Sequence, residues 1–221
     1  MKRLLITIDG PAGAGKTTAS RMLADRLDYK YIDTGALYRG VALAAISAGI
    51  SSDDDKRLEQ LCRTLKMEFV SDEQGLRLWL NDRDITEQIR TPEISMFASA
   101  VSARQIVRMY LLDLQREMGR AKGVVFEGRD MGTVVFPDAD VKFYLDASPK
   151  TRALRRYKEL ETSTSQTLEE VESDMQRRDE NDSSRDLAPL KPAEDAIIID
   201  STNLAIKAVV DEMLSSVAKA E

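Results

Sequence analysis

The chain has 221 residues, 43% hydrophobic and 32% charged, with a formal net charge of −6. That size suits one α/β domain with elaborations, and the negative balance argues against a general nucleic-acid binder. It contains no histidine, which excludes Ser-His-Asp and Cys-His triads and any His-ligated metal, and its single cysteine, Cys62, excludes an internal disulfide and fits a reducing cytoplasm.

Leu4–Ile8 is a near-continuous apolar run, as in a strand buried within a parallel sheet. With Met1-Lys2-Arg3 before it, the run is too short for a signal peptide, and no apolar run reaches the roughly 18 residues of a membrane span. It leads directly into Gly10-Pro11-Ala12-Gly13-Ala14-Gly15-Lys16-Thr17-Thr18. This is the pattern G-x-x-x-x-G-K-[ST] between a strand and a helix. Glycines let the backbone curl into an anion cradle, and the helix starting near Lys16 adds its positive end. Lys16 then serves the β- and γ-phosphates and Thr17 a Mg²⁺ ion. The dinucleotide fingerprint G-x-G-x-x-G/A does not fit, because its only register ends in Thr18 and includes Lys16.

Lys16–Leu27 reads as a helix, Tyr29–Ile32 as a second strand and Ala36–Ala48 as a small-residue helix ending at Gly49. Asp53-Asp54-Asp55 cap a helix carrying Leu58, Leu61 and Leu65; Cys62 on it reads as a packing residue. Met67–Val70 and Leu76–Leu80 read as strands joined by a turn at Ser71–Gly75, and such a short link forces antiparallel pairing. Pro92 to about Arg120 is helical with a break near Ser102. Gly123–Phe126, Val141–Leu145 and Ala196–Ile199 complete the strands, and Asn203–Ala220 closes the chain as an amphipathic helix. The alternation implies a doubly wound, five-stranded parallel sheet with a small antiparallel β insert, and the glycine loop after its first strand makes it of the P-loop NTPase type. Tyr157–Asp186 is polar, including Glu161–Ser165 and a charged helix from about Leu168, with little apolar surface to pack. Such segments supply mobile lids.

Three further clusters carry chemistry. Asp33-Thr34-Gly35-Ala36-Leu37-Tyr38-Arg39 follows the second strand, where ligands bind open α/β sheets; Thr34 is placed to cap the next helix, and Arg39 lies one turn in. In Glu127-Gly128-Arg129-Asp130 an acid ends an apolar strand. Glu127 can organise Mg²⁺ or its waters, Arg129 can fork onto a phosphate, and Asp130 can accept from an amino group. Arg178, Asp182 and Arg185 share one helical face, as a salt-bridged surface or as a lid closing on a phosphoryl group.

Ile6–Thr18, Asp33–Arg39, Glu127–Pro137, Phe143–Ala147, Arg185–Leu190 and Ile199–Thr202 together resemble the nucleoside monophosphate kinases, and within them the cytidylate kinase family, along essentially the whole chain. The stretch Gly128-Arg129-Asp130-Met131-Gly132-Thr133-Val134-Val135-Phe136-Pro137 is the most specific. The resemblance implies a single P-loop kinase domain over residues 1–221, an acceptor-binding insert at 60–95 and a lid at 157–187. It implies transfer of the ATP γ-phosphate to CMP or dCMP by a cytoplasmic monomer that binds no nucleic acid or membrane. ATP would sit on Gly10–Thr18, with Mg²⁺ on Thr17. Lys16, Arg129, Arg178 and Arg185 would be catalytic, and Arg39 and Arg129 would hold the acceptor phosphate. Thr34, Ser99, Arg108 and Asp130 would lie near its base, and Arg178, Asp182 and Arg185 at the lid and sugar. Glu127 stands where that family often has Asp, and Asn181 and Ser183 replace commonly basic lid residues; whether Glu127 or Asp9 reaches the metal stays open. Kinases of another acceptor, such as a different nucleotide or shikimate, and nucleotide-regulated switches are the competing readings.

Overall fold

The computed structural model describes residues 3–72, 75–160 and 166–220. The expected Glu161–Ser165 tract, and Glu73 and Gln74 of the expected turn, lie outside the described residues. The chain divides into two compact units, one of residues 1–32 and 119–221 and one of residues 33–118.

The first unit is built on a five-stranded sheet. Its strands are β1 (Leu5–Asp9), β2 (Lys30–Asp33), β6 (Val124–Glu127), β7 (Val141–Asp146) and β8 (Ile197–Asp200), in the order β2-β6-β1-β7-β8. The chain leaves β1 to one side and later returns to the other, so β1 is the central strand, where ligands of open α/β sheets collect. All five of its residues are buried, as its apolar run predicts. It pairs parallel with β6, Ile8 opposite Glu127, and with β7, Asp9 opposite Tyr144.

Side chains alternate between the faces of a strand. Leu4, Ile6 and Ile8 therefore face one core, with Leu23 of helix α1 (Lys16–Leu27) and Val210 and Met213 of the last helix, α8 (Ile206–Ala220). The opposite parity sends Thr7 and Asp9 toward a π-helical turn at Met131–Val135, closed by Val135 N–H donating to Asp130 O at 3.2 Å and Phe136 N–H to Met131 O at 2.7 Å. Helices α6 (Pro149–Leu160) and α7 (Leu168–Ser184) pack on each other. The polarity of Tyr157–Asp186 predicts a poorly packed segment, but Val171 and Met175 of α7 join Ala153 and Leu160 of α6 in a small buried cluster. Two apolar residues a turn apart suffice because they share one helical face.

The second unit contains α2 (Thr34–Ser47), α3 (Asp55–Cys62), strands β3 (Met67–Asp72), β4 (Gly75–Leu80) and β5 (Arg83–Asp84), then α4 (Pro92–Ser102) and α5 (Gln105–Gly119), whose last residue lies at the boundary. The three strands form an antiparallel sheet in sequence order, with Phe69 opposite Leu78. The two-residue β5 is too short for hydrophobic alternation to reveal. Leu37, Val41, Leu58, Leu78, Ile94, Val101 and Leu111 fill this unit's core. Burial pushes the Cys62 thiol up to about 11, consistent with a packing residue.

The helix starts follow local hydrogen-bond chemistry. Asp54 Oδ1 accepts from Arg57 N–H at 3.0 Å and Thr91 Oγ1 from Ile94 N–H at 3.2 Å, ahead of Pro92 in the first turn. Thr34, expected to cap α2, is instead its first residue and is fully buried. The cap is Asp33, whose Oδ1 accepts from Ala36 N–H at 3.1 Å. A carboxylate at the strand's end can cap the helix with one oxygen and hold a cation with the other, which a hydroxyl cannot do.

Candidate active site

Beyond the carboxyl end of β1 the chain turns through Gly10 to Gly15 into α1. Gly13 has φ +72°, and a Cβ there would stand 2.7 Å from the Arg152 carbonyl oxygen; at Gly10, φ +145°, it would stand 2.0 Å from that of Leu145. Only glycine fits this path. Cations and a hydroxyl hold the loop carbonyls. Lys16 Nζ donates to Pro11 O at 2.7 Å, Arg152 Nη1 to Ala12 O at 3.1 Å, Arg155 Nη1 to Ala14 O at 3.3 Å and Ser201 Oγ to Ala14 O at 3.0 Å. A loop whose carbonyls are engaged in this way has amide N–H groups left to cradle an anion.

Lys16 is 4% exposed. Burial, reinforced by the Arg129 charge and opposed by Glu127, brings its ammonium down to about 7. Thr17 Oγ1 donates to Glu127 Oε1 at 2.7 Å, and Tyr31 hydroxyl donates to Glu127 Oε2 at 2.6 Å. Both carboxylate oxygens of Glu127 are thereby engaged. The β1–β6 register explains the placement: Glu127 lies opposite Ile8 and so faces the α1 side, whereas Asp9 faces away.

Asp9 receives Met131 N–H on Oδ1 and Gly132 N–H on Oδ2, both at 2.8 Å. Burial outweighs those two bonds and, with Asp130 nearby, raises its carboxyl to about 6. Arg129 Nε donates to Asp182 Oδ2 at 3.2 Å. Arg178 and Arg185 lie 4.0 and 3.8 Å from the same carboxylate. Burial opposes ionisation of Asp182, but the charges of Arg129, Arg178 and Arg185 outweigh it and hold the carboxyl below the usual range. Arg185 is the C-cap residue of α7, with extended backbone, so it leaves the helical face expected for it with Arg178 and Asp182, yet it still joins Arg129 and Arg178 around the one acid.

Lys16, Thr17, Arg129, Asp130, Arg178, Asp182 and Arg185 all belong to the first unit. Thr34, Arg39, Ser99 and Arg108 belong to the second. There Arg39 Nη2 pairs with Asp33 Oδ2 at 2.7 Å, and Arg108 Nη1 donates to Ser102 O at 3.2 Å while its guanidinium sits 5.9 Å from the Tyr38 ring centroid. Ser99 is buried, and its carbonyl accepts from Ser102 Oγ at 2.7 Å.

Sequence reasoning missed Arg152, Arg155, Ser201 and Asp179. Arg152 Nη1 reaches both Ala12 O and the Asp179 carboxylate of α7. Arg155 donates to Ser201 Oγ and O at 2.9 and 2.7 Å. The signal available was Thr151-Arg152-Ala153-Leu154-Arg155, two arginines three apart on the first helix after β7. Their partners lie far away in the chain, so spacing alone could not assign them.

Among solved structures, shikimate kinase from Acinetobacter baumannii in complex with shikimate superposes with a TM-score of 0.51 at 15% identity, over 100% of this chain and 96% of that one. This likeness shows the fold, a parallel sheet flanked by helices. The protein called cytidylate kinase from Geobacter sulfurreducens is 53% identical over 219 residues, covering 99% of this chain and 94% of that protein. Its namesake from Geobacter sp. strain M21 is 52% identical over 211 residues, 95% and 91% of the two chains. The cytidylate kinase family pattern matches residues 6–219. With the glycine loop, its lysine and the arginine cluster at one sheet edge, these matches establish that the chain belongs to the cytidylate kinase family.

Proposed function

We propose that the chain transfers the γ-phosphoryl group of ATP to CMP or dCMP, giving ADP and CDP or dCDP. The observation that carries this reading is the gathering of Lys16, Arg129, Arg178 and Arg185 in one unit with the phosphate loop. Phosphoryl transfer needs positioning and charge stabilisation more than covalent chemistry. The acceptor is a phosphate oxygen, ionised near neutral pH, so no general base is required, in keeping with a chain that has no histidine.

The loop residues Gly10–Thr18 bind the ATP phosphates, and Lys16 compensates their charge. Thr17 fits a Mg²⁺ ligand, because a hydroxyl that donates to Glu127 turns its lone pairs outward. When bound, that ion neutralises charge on the β- and γ-phosphates. Arg129, Arg178 and Arg185 serve the transferring group, and Asp182 keeps the three together and contributes to the acceptor sugar. Arg39 and Arg129 take the acceptor phosphate, and Thr34, Ser99, Arg108 and Asp130 take its base and surroundings. A carboxylate at Asp130 accepts from the cytosine 4-amino group, where uracil offers a carbonyl. Residues 60–95 form the acceptor-binding insert and 157–187 the lid. The enzyme works as a cytoplasmic monomer on small nucleotides; among the described residues no helix is long and apolar enough to cross a membrane.

A coupled ADP-release assay across CMP, dCMP, UMP, AMP, GMP and shikimate tests the assignment. CMP and dCMP should give the highest kcat/KM, and Asp130→Asn should narrow the CMP-to-UMP ratio by roughly tenfold or more, the discrimination expected of one buried polar mismatch. ADP release independent of any acceptor would point to a nucleotide switch instead.

A further inference from the structure

We propose that Asp9 is a positioning residue for the acceptor nucleotide: its carboxylate fastens the segment bearing Arg129 and Asp130 to the strand that carries the phosphate loop. The proposal rests on the acceptor reading of Arg129 and Asp130 given above.

Asp9 is the last residue of β1 and directly precedes Gly10. Each of its oxygens accepts one backbone N–H, from Met131 and from Gly132, at 2.8 Å. These amides open the π-helical turn, whose other end closes on the Asp130 carbonyl through Val134 N–H at 2.9 Å and Val135 N–H at 3.2 Å. Asp130 is thus gripped from both sides: the carboxylate holds the residues after it, and the turn's own hydrogen bonds hold its carbonyl. π-Turns are rare and concentrate at functional sites. Here the extra residue per turn is stabilised by a buried charge.

Gly132 is part of the same device. A Cβ at that position would lie 3.4 Å from Asp9 Oδ2, 3.2 Å from Thr7 Oγ1 and 3.1 Å from Lys142 Cδ. An alanine there would press on Thr7 and Lys142 by a few tenths of an ångström and touch the carboxylate, crowding the site where the two amides meet it. Asp9 is 4% exposed, and burying a carboxylate costs free energy. Hydrogen bonds from two amides do not cancel that cost, since the carboxyl remains raised to about 6. A residue retained only for stability would be better as an apolar one. The advantage of the charge is a pair of directed bonds that set where Arg129 and Asp130 stand.

Asp9→Asn and Gly132→Ala test this independently, one at each end of the fastening. Asn keeps the shape but accepts from only one amide. Both variants should raise the KM for CMP roughly tenfold, as expected for one lost charge-assisted hydrogen bond, and shrink the CMP-to-UMP ratio in kcat/KM, while the KM for ATP moves less than threefold. The Met131 and Gly132 amides should exchange faster with deuterium in Asp9→Asn, and the far-ultraviolet dichroism should stay unchanged. Unaltered CMP kinetics in both variants would overturn the proposal. So would an equal rise in the KM values for ATP and CMP, which is the mark of general loosening. Asp130→Asn separates this failure from that of the acceptor reading. If Asp130→Asn changes selectivity and Asp9→Asn does not, the fastening is wrong and the acceptor reading stands. If Asp130→Asn has no effect, the base assignment is wrong, and the fastening is judged on the CMP KM and on the two amides.

Discussion

Lys16 is buried, and its ammonium faces two guanidinium groups as well as acids. Its folded pKa of about 7 lies below the ordinary lysine value of 10.5. A depressed base is destabilising while charged; that cost is relieved as pH rises from about 7 toward 10.5, where the folded form has lost the proton and the unfolded form keeps it. Bound triphosphate reverses the balance by favouring the ammonium. ATP binding at pH 8 should therefore take up protons, and calorimetry in buffers of different ionisation enthalpy should show it. Uptake should fade by pH 6, where the ammonium is already formed, and vanish in Lys16→Ala. Identical binding enthalpies in every buffer at pH 8 would show that Lys16 does not change its protonation when ATP binds. Lys16→Ala should also keep the fold and lose at least about a hundredfold in kcat, the scale on which a preorganised charge acts on a transition state. For Arg185→Ala, kcat should fall by a larger factor than the KM for ATP rises, because its contact strengthens as charge develops; steady-state kinetics with saturating CMP separates the two.

At the scale of elements, two attachments among the described residues tie α7 to α6 and the phosphate loop, beside the Arg129–Asp182 pair. One is the apolar cluster of Val171 and Met175 with Ala153 and Leu160. The other is Arg152, which spans from the Ala12 carbonyl to Asp179. This makes α7 docked even though most of its surface is polar, and it couples the helix that carries Arg178 and leads into Arg185 to the Ala12 carbonyl of the phosphate loop. Arg152→Ala should loosen both partners. Amide exchange across Leu168–Arg185 should speed up in the free protein, and the kcat/KM for ATP should fall about tenfold, as when a buried hydrogen-bonded ion pair loses one member. A bisubstrate analogue should slow exchange in the same segment of the wild-type enzyme more than either nucleotide alone. Equal protection in the free and doubly liganded protein would make α7 a fixed helix and remove the lid reading.

For the whole molecule, the relevant fact is that each unit has its own core. Leu23 belongs to that of the sheet unit and Leu111 to that of residues 33–118, both fully buried. Leu23→Ala and Leu111→Ala should each lower stability by about 2–5 kcal/mol, the usual result of a cavity in a close-packed interior, measured by urea unfolding. Their kinetic signatures should differ. Leu111→Ala should raise the KM for CMP more than that for ATP, and Leu23→Ala should do the reverse, since α1 begins at the phosphate loop. Matching changes in both KM values would argue against assigning the acceptor-binding role to the second unit.

What the chain reveals by itself is whatever depends on short-range order. The apolar run ending at Asp9, the glycines and Lys16 specify strand, loop and helix within one continuous stretch, and the parallel strands are visible as apolar segments flanked by turn residues. The Pro92 helix start and the break near Ser102 are legible for the same reason. Arg129, Arg178, Asp182 and Arg185 could be named as candidates because carboxylates and guanidinium groups cluster in their segments. Which of them meet was decided by the tertiary structure. Arg129 and Asp182 are 53 positions apart, Thr17 and Glu127 are 110 apart, and Asp9 and Met131 are 122 apart. Their pairing follows from strand order and register, which set Glu127 and Asp9 on opposite faces of the sheet although they end adjacent strands. The cap at Asp33, the docking of α7 and the π-turn were likewise unreadable, because each depends on a partner that only folding brings within hydrogen-bond or packing distance.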